Sequence, residues 1–180
     1  MSNTPSDGIL GEGRFLTLRR RKGWEFVERP KVVDVAVLIA TTPDGKAVFV
    51  EQYREPVASR TIEWPAGLVG DEEAHDGEEL LAAANRELEE ETGFRAGELE
   101  VLQKSPSSAG LTSEIITFIR AAKLKKVGEG GGVEGENIKV HLPPLAEADA
   151  WLDARVEEGF LIDPKVYVGL YFLHRADREK

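Results

Sequence analysis

The sequence predicts an α+β or mixed α/β sandwich: one β-rich core with helices packed against it. Three observations carry this. The first third of the chain is a succession of short β-branched and aromatic runs divided by turn signals, one strongly acidic amphipathic helix follows, and the C-terminal part shows helical periodicity. A chain of 180 residues with 41% hydrophobic content suffices for one such core and is short for two domains of typical size.

The segment RFLTLRRRKGWEFVERP places strands on either side of Lys22-Gly23, a hairpin turn. The β-branched run VVDVAVLIAT stops at Pro43-Asp44-Gly45, and AVFVEQYR is expected as its hairpin partner. TIEWP is a short strand closed by Pro65 and released into the Gly- and acid-rich loop AGLVGDEEAHDG. Asp76 and Glu79 have the spacing of a capping box. Leu80, Leu81, Ala84 and Leu88 form an apolar stripe that Gly93 ends, so a helix is expected over about 77–92. ELEVLQK, EIITFIRAAKL and IKVHL read as strands, and KKVGEGGGVEGEN before the last of them as a mobile loop too polar to pack. LAEADAWLDARVEEG and PKVYVGLYFLHRADREK complete the chain as helices.

Composition narrows the function. A net charge of −10, from 23 Lys+Arg against 33 Asp+Glu, argues against binding a phosphate backbone, so nucleic acid is not an expected partner. The absence of cysteine excludes a disulfide framework, a thiolate zinc site and a cysteine nucleophile, and fits a cytoplasmic protein. The start MSNTPSDGILGEGRF has neither a basic nor an apolar signal region, and no run reaches 18 apolar residues, so neither secretion nor a membrane span is expected. Residues 71–91 hold ten acids against one base, Arg86, whereas residues 1–60 hold ten bases and eight acids. A cation together with an anionic substrate would satisfy both regions.

Within the acidic helix, Glu87, Glu90 and Glu91 fall at i, i+3 and i+4 and therefore share one face. A solvated acidic surface has that pattern, and so has a site for Mg²⁺ or Mn²⁺, which prefer carboxylate oxygens. The run Arg86-Glu87-Leu88-Glu89-Glu90-Glu91-Thr92-Gly93-Phe94 meets every fixed position in the second half of the Nudix box, Arg-Glu-aliphatic-x-Glu-Glu-x-Gly-aliphatic, with Glu78 as the Glu eight residues before the Arg. The first half departs: where the pattern has Gly, position 72 is Glu, and Gly67 lies eleven residues before Glu78, as though the loop were five residues longer. Glu51-Gln52-Tyr53-Arg54-Glu55-Pro56 and Glu63-Trp64-Pro65-Ala66-Gly67 resemble the strands preceding the box in the ADP-ribose and nucleoside-diphosphate-sugar pyrophosphatase branch.

That resemblance implies the Nudix fold, an α/β/α sandwich with a mixed sheet, flanking helices and an N-terminal antiparallel strand region. It implies residues 1–30 as that strand region, a dimer contact, and 31–180 as the hydrolase domain. The implied activity is Mg²⁺-dependent hydrolysis, with Mn²⁺ as a substitute, of the pyrophosphate bond of a nucleotide sugar by a cytoplasmic homodimer. The implied metal ligands are the Ala66 carbonyl, Glu87 and Glu91, then Glu90. In the loop Gly130-Gly131-Gly132-Val133-Glu134-Gly135-Glu136-Asn137-Ile138, which resembles a loop of GDP-mannose-type and ADP-ribose hydrolases, Glu134 and Glu136 both match the general base. Glu134 is taken first, with Glu136 as a metal ligand. Arg54 is implied as a phosphate contact, Trp24 as a surface for the base, Glu63 as an acceptor for base or ribose, and Gly67 and Leu111 as further substrate contacts.

The turn Ser107-Ser108-Ala109-Gly110-Leu111-Thr112 resembles a turn of the same branch but has Ala109 where ADP-ribose enzymes have proline. ADP-ribose stands first among the substrates and GDP-mannose next. Alternatives are another nucleoside di- or triphosphate derivative, or a non-catalytic nucleotide-sugar sensor. Trp64 is expected in the core, and His75, His141 and His174 have no ligand spacing.

Overall fold

The computed structural model describes residues 7–30, 32, 34–69, 79–132 and 136–178. Strands β1 (Gly8–Glu12), β2 (Thr17–Arg21) and β3 (Trp24–Glu28) form an antiparallel sheet. Lys22 and Gly23 both have positive φ, 50° and 85°, which suits the twist of a two-residue hairpin turn. A second sheet has the order β7-β4-β10-β9, from β7 (Ala66–Val69), β4 (Asp34–Ala40), β10 (Ile115–Ala122) and β9 (Glu98–Pro106); only the β4–β10 pairing in it is parallel. A third has the order β12-β5-β6-β13, from β12 (Lys139–His141), β5 (Phe49–Arg54), β6 (Ser59–Glu63) and β13 (Leu161–Ile162). β8 (Phe94–Arg95) pairs with β11 (Lys125–Lys126), and the helices are α1 (Leu80–Thr92), α2 (Ala148–Glu157) and α3 (Pro164–Arg178).

β4 explains the sandwich. All seven of its residues are buried, and because side chains alternate across a strand, they feed two cores. Val35, Val37 and Ile39 pack with Phe49, Ile62, Trp64, Phe118, Leu152 of α2 and Val166 and Leu170 of α3. Ala36, Leu38 and Ala40 pack with Ala83, Ala84 and Leu88 of α1. A strand covered by helices on both faces reads as a near-continuous apolar run, as VAVLIA after Asp34 does. Trp64 is in the core as expected, tilted on Phe49 with ring centroids 4.5 Å apart, its Nε1 donating to the Val166 carbonyl at 3.2 Å.

Three local expectations are corrected. Ala66–Val69, read as the start of the acid-rich loop after Pro65, forms β7 against β4. β5 is not the ladder partner of β4: the two meet at a Thr41–Ala47 bridge and through Val48 N–H donating to the Ala40 carbonyl (3.0 Å), then diverge. Both edges of β4 are already occupied, by β7 and β10. The helix begins at Leu80, with Glu79 at the N-cap position and no side-chain cap bond, whereas Asp76 lies outside the described residues.

Candidate functional site

α1 turns one apolar face, Ala83, Ala84 and Leu88, onto the β4 sheet, and this brings its neighbouring face against the start of β7. Glu87 and Glu91, four residues apart on that face, meet Ala66 and Gly67 there. Ala66 N–H donates to Glu91 Oε2 at 3.1 Å. A Cβ on Gly67 would fall 2.0 Å from Glu87 Cγ, so only glycine leaves room for that carboxylate arm. Glu91 is 6% exposed, and burial pushes its carboxyl up to about 8; the Ala66 N–H and Arg54 oppose the rise, and the like charges of Glu87 and Glu136 add to it. Arg86 Nη1 bridges Glu87 Oε1 (2.9 Å) and Glu90 Oε2 (3.0 Å).

Among the described residues, no three His, Cys, Asp or Glu side chains gather closely enough to hold a metal by themselves. The chemistry of the site nevertheless fits a hard divalent ion, because a buried carboxylate driven toward its protonated form beside two like charges is relieved by a cation.

The Gly-rich loop, expected to be too polar to pack, docks on the C-terminal end of α1 through its backbone. Gly93 (φ 69°) ends the helix, its N–H donating to the Glu89 carbonyl at 2.8 Å. Gly132 N–H donates to the Glu90 carbonyl (3.0 Å), Gly131 N–H to the Glu91 carbonyl (2.9 Å) and Lys126 Nζ to the Thr92 carbonyl (3.0 Å). The carbonyls that a helix end leaves without partners are thus supplied by the loop. At its far side Glu136 is exposed and within electrostatic reach of Glu91. Glu78 and Glu134 lie outside the described residues, as does His75.

Arg54, opposite Ser59 in the β5–β6 register, reaches along β6 to Glu63, whose own register partner is Val50. Arg54 donates through Nε (2.8 Å) and Nη2 (2.7 Å) to the two oxygens of Glu63, and Thr61 Oγ1 donates to the first of these at 2.5 Å. Burial alone would raise the Glu63 carboxyl, but Arg54 holds it below the usual range. Arg54 also feels the charge of Glu91, which ties this pair to the acidic cluster. Trp24, 69% exposed, opens β3, and Leu111, 60% exposed, sits in a turn docked to the same strand, where Val27 N–H donates to the Leu111 carbonyl at 2.9 Å. Ala66, Gly67, Glu87 and Glu91 therefore converge on β7 and α1, and Trp24 and Leu111 share a second region on β3. His141 binds Glu51 at 2.7 Å beside Arg60, and His174 is exposed. Thr61, which holds Glu63, gave no signal in the sequence. Gly132 gave one only as part of a glycine run.

An acidic helix whose i, i+4 glutamates meet a Pro-Ala-Gly strand on a two-cored sandwich defines a class, and the chain belongs to it: the NUDIX domain family model matches residues 30–161. The chain is 36% identical over 132 residues to the ADP-ribose pyrophosphatase of Bacillus subtilis (strain 168), covering 73% of this chain and 67% of that protein. To the methanol dehydrogenase activator of Bacillus methanolicus it is 34% identical over 157 residues, covering 87% and 78%. A crystal structure described as an ADP compounds hydrolase superposes with a TM-score of 0.67 at 22% identity, covering 98% of this chain and 96% of the other, and establishes the fold.

Proposed function

We propose that this Nudix protein hydrolyses the pyrophosphate bond of a nucleoside-diphosphate sugar, giving a nucleoside monophosphate and a sugar phosphate. The observation that carries the reading is the convergence of Glu87 and Glu91 with Ala66 and Gly67, joined electrostatically to Arg54. The Ala66 carbonyl, Glu87 and Glu91 would hold Mg²⁺, with Glu90 and Glu136 as further ligands; Arg86 pairs with Glu87 and Glu90 on the same helix face. A bound Mg²⁺ supplies neutralisation of the diphosphate and acidifies the attacking water.

The chain's own residues do the rest. Arg54, kept in one orientation by Glu63, presents its guanidinium to a phosphate oxygen, so Glu63 serves the substrate through Arg54. Glu134 takes the proton of the attacking water. Gly67 and Leu111 line the substrate and Trp24 gives its base a stacking surface. The exposed apolar side chains of the N-terminal sheet support a homodimer built through residues 1–30, and the lack of cysteine supports a cytoplasmic setting.

The test is phosphate release, coupled to a phosphatase, from ADP-ribose, ADP-glucose, GDP-mannose, UDP-glucose, diadenosine polyphosphates and dNTPs, each with Mg²⁺ and with EDTA. Metal-dependent turnover is expected with ADP-ribose first and GDP-mannose second. Silence across the panel from folded, Mg²⁺-supplied protein would replace the enzyme by a nucleotide-sugar sensor.

A further inference from the structure

The glycine loop does more than cap α1. Gly132 has φ 86°, and its N–H is spent on the Glu90 carbonyl, which locks the residue to the helix that carries Glu87 and Glu91. On its other side it has no room. A Cβ at Gly132 would fall 2.5 Å from Glu136 Oε2, 2.7 Å from Glu136 Cβ and 3.1 Å from Ile138 Cδ1. Glu136 therefore lies folded over the bare Cα of Gly132, with its carboxylate near enough to α1 for Glu91 to feel its charge.

Gly131 makes the contrast. It also has positive φ, 107°, and also donates to α1, yet a Cβ there would meet only the Ile138 carbonyl, at 3.9 Å. The two glycines share backbone strain but differ in what a side chain would displace.

We propose that Gly132 is a positioning residue for the cation site: its missing side chain lets the Glu136 carboxylate stand beside α1, and any Cβ there drives that carboxylate away. The inference rests on the metal-binding part of the proposed function. It extends that part from the ligands to the backbone position that aims one of them. Residues that orient a ligand without touching the ion commonly change affinity by about 10–100-fold.

The experiment is Mn²⁺ binding by electron paramagnetic resonance and calorimetry, which needs no substrate, on wild type, Gly132→Ala, Gly132→Asn, Gly131→Ala, Glu136→Gln and Gly132→Ala/Glu136→Gln. Asn tolerates positive φ better than Ala and carries the same Cβ, so it serves if the Ala variant folds poorly. Both Gly132 variants are expected to weaken Mn²⁺ about tenfold, matching Glu136→Gln, and the double variant to weaken it no further. Gly131→Ala lowers thermal stability without that shift. With a turned-over substrate, kcat of Gly132→Ala recovers at high Mg²⁺ while KM stays near wild type. Losses that multiply in the double variant, or equal losses from Gly131→Ala, would overturn the positioning role alone. No Mn²⁺ binding by wild type would overturn the metal reading and this inference with it.

Discussion

Glu91 is the residue at which burial and function pull in opposite directions. Its carboxyl sits at about 8 in the metal-free fold against an ordinary 4.5, first because it is buried. Between those two values the native state keeps a proton that the unfolded chain releases, so rising pH through this window destabilises the metal-free protein by about 1.4 kcal/mol per unit. Below about 4.5 both states are protonated and the penalty is absent. Glu91→Gln keeps an acceptor for the Ala66 N–H and carries no charge. In EDTA it is expected to melt above wild type at pH 8 and close to it at pH 4.5, while kcat with Mg²⁺ falls at least ~10²-fold, as for loss of an electrostatic stabiliser. Melting curves at the two pH values and one kinetic assay decide it, and a lower midpoint than wild type at pH 8 refutes the burial argument. At this scale the sequence was informative, because glutamates at i and i+4 on a helix share a face whatever the fold. What it could not supply was the pairing of Glu63 with Arg54, since that contact between two strands depends on register, whereas Thr61, two residues before Glu63, shares its face of β6.

Elements were legible where a period or a stop signal is local. The hairpin at Lys22-Gly23, the long strand β4 and the end of α1 at Gly93 all follow from patterns within a few residues. The β4–β5 hairpin did not form, because the parallel pairing of β4 with β10 joins segments some eighty positions apart and leaves no trace in either one. The loop's docking on α1 was equally hidden. It uses backbone N–H groups, so composition shows only polarity. That docking makes Gly93 different from an ordinary helix-ending glycine. A Cβ there would lie 2.2 Å from the Gly128 carbonyl oxygen, whereas at Gly45 (φ 79°) it would meet nothing within 4 Å. Ala at Gly45 faces only the positive-φ penalty, roughly 1 kcal/mol, while Ala at Gly93 must also push the loop off the helix. Urea unfolding is expected to show Gly93→Ala losing more than twice as much stability as Gly45→Ala. Equal losses would mean that the loop does not hold the helix end.

For the whole molecule the open matter is what covers the N-terminal sheet. Ile9, Leu10, Phe15, Leu16, Leu18 and Trp24 are all more than a third exposed there, a concentration of apolar surface that an isolated chain would not ordinarily leave in water. The fold class and family followed from the sequence, whereas the dimer contact at residues 1–30 came only as what the resemblance implies, because strand periodicity shows that a face is apolar and not what lies against it. If a second copy covers it, as proposed, Phe15 is the place to test it. Phe15 is 66% exposed between β1 and β2, lies outside their ladder, and carries the Arg14 guanidinium over its ring at 4.8 Å. Phe15→Glu is therefore expected to leave the monomer fold and its thermal midpoint nearly unchanged while shifting a dimer to monomer in sedimentation at micromolar concentration. Trp24 lies on the same sheet, so where it stacks on the base across the subunit boundary the monomer shows a KM raised about tenfold, the scale of losing one aromatic contact, with kcat held by the acidic cluster on α1. A wild type that sediments as a monomer removes the dimer. A monomeric Phe15→Glu with unchanged KM keeps the dimer and confines substrate binding to one subunit.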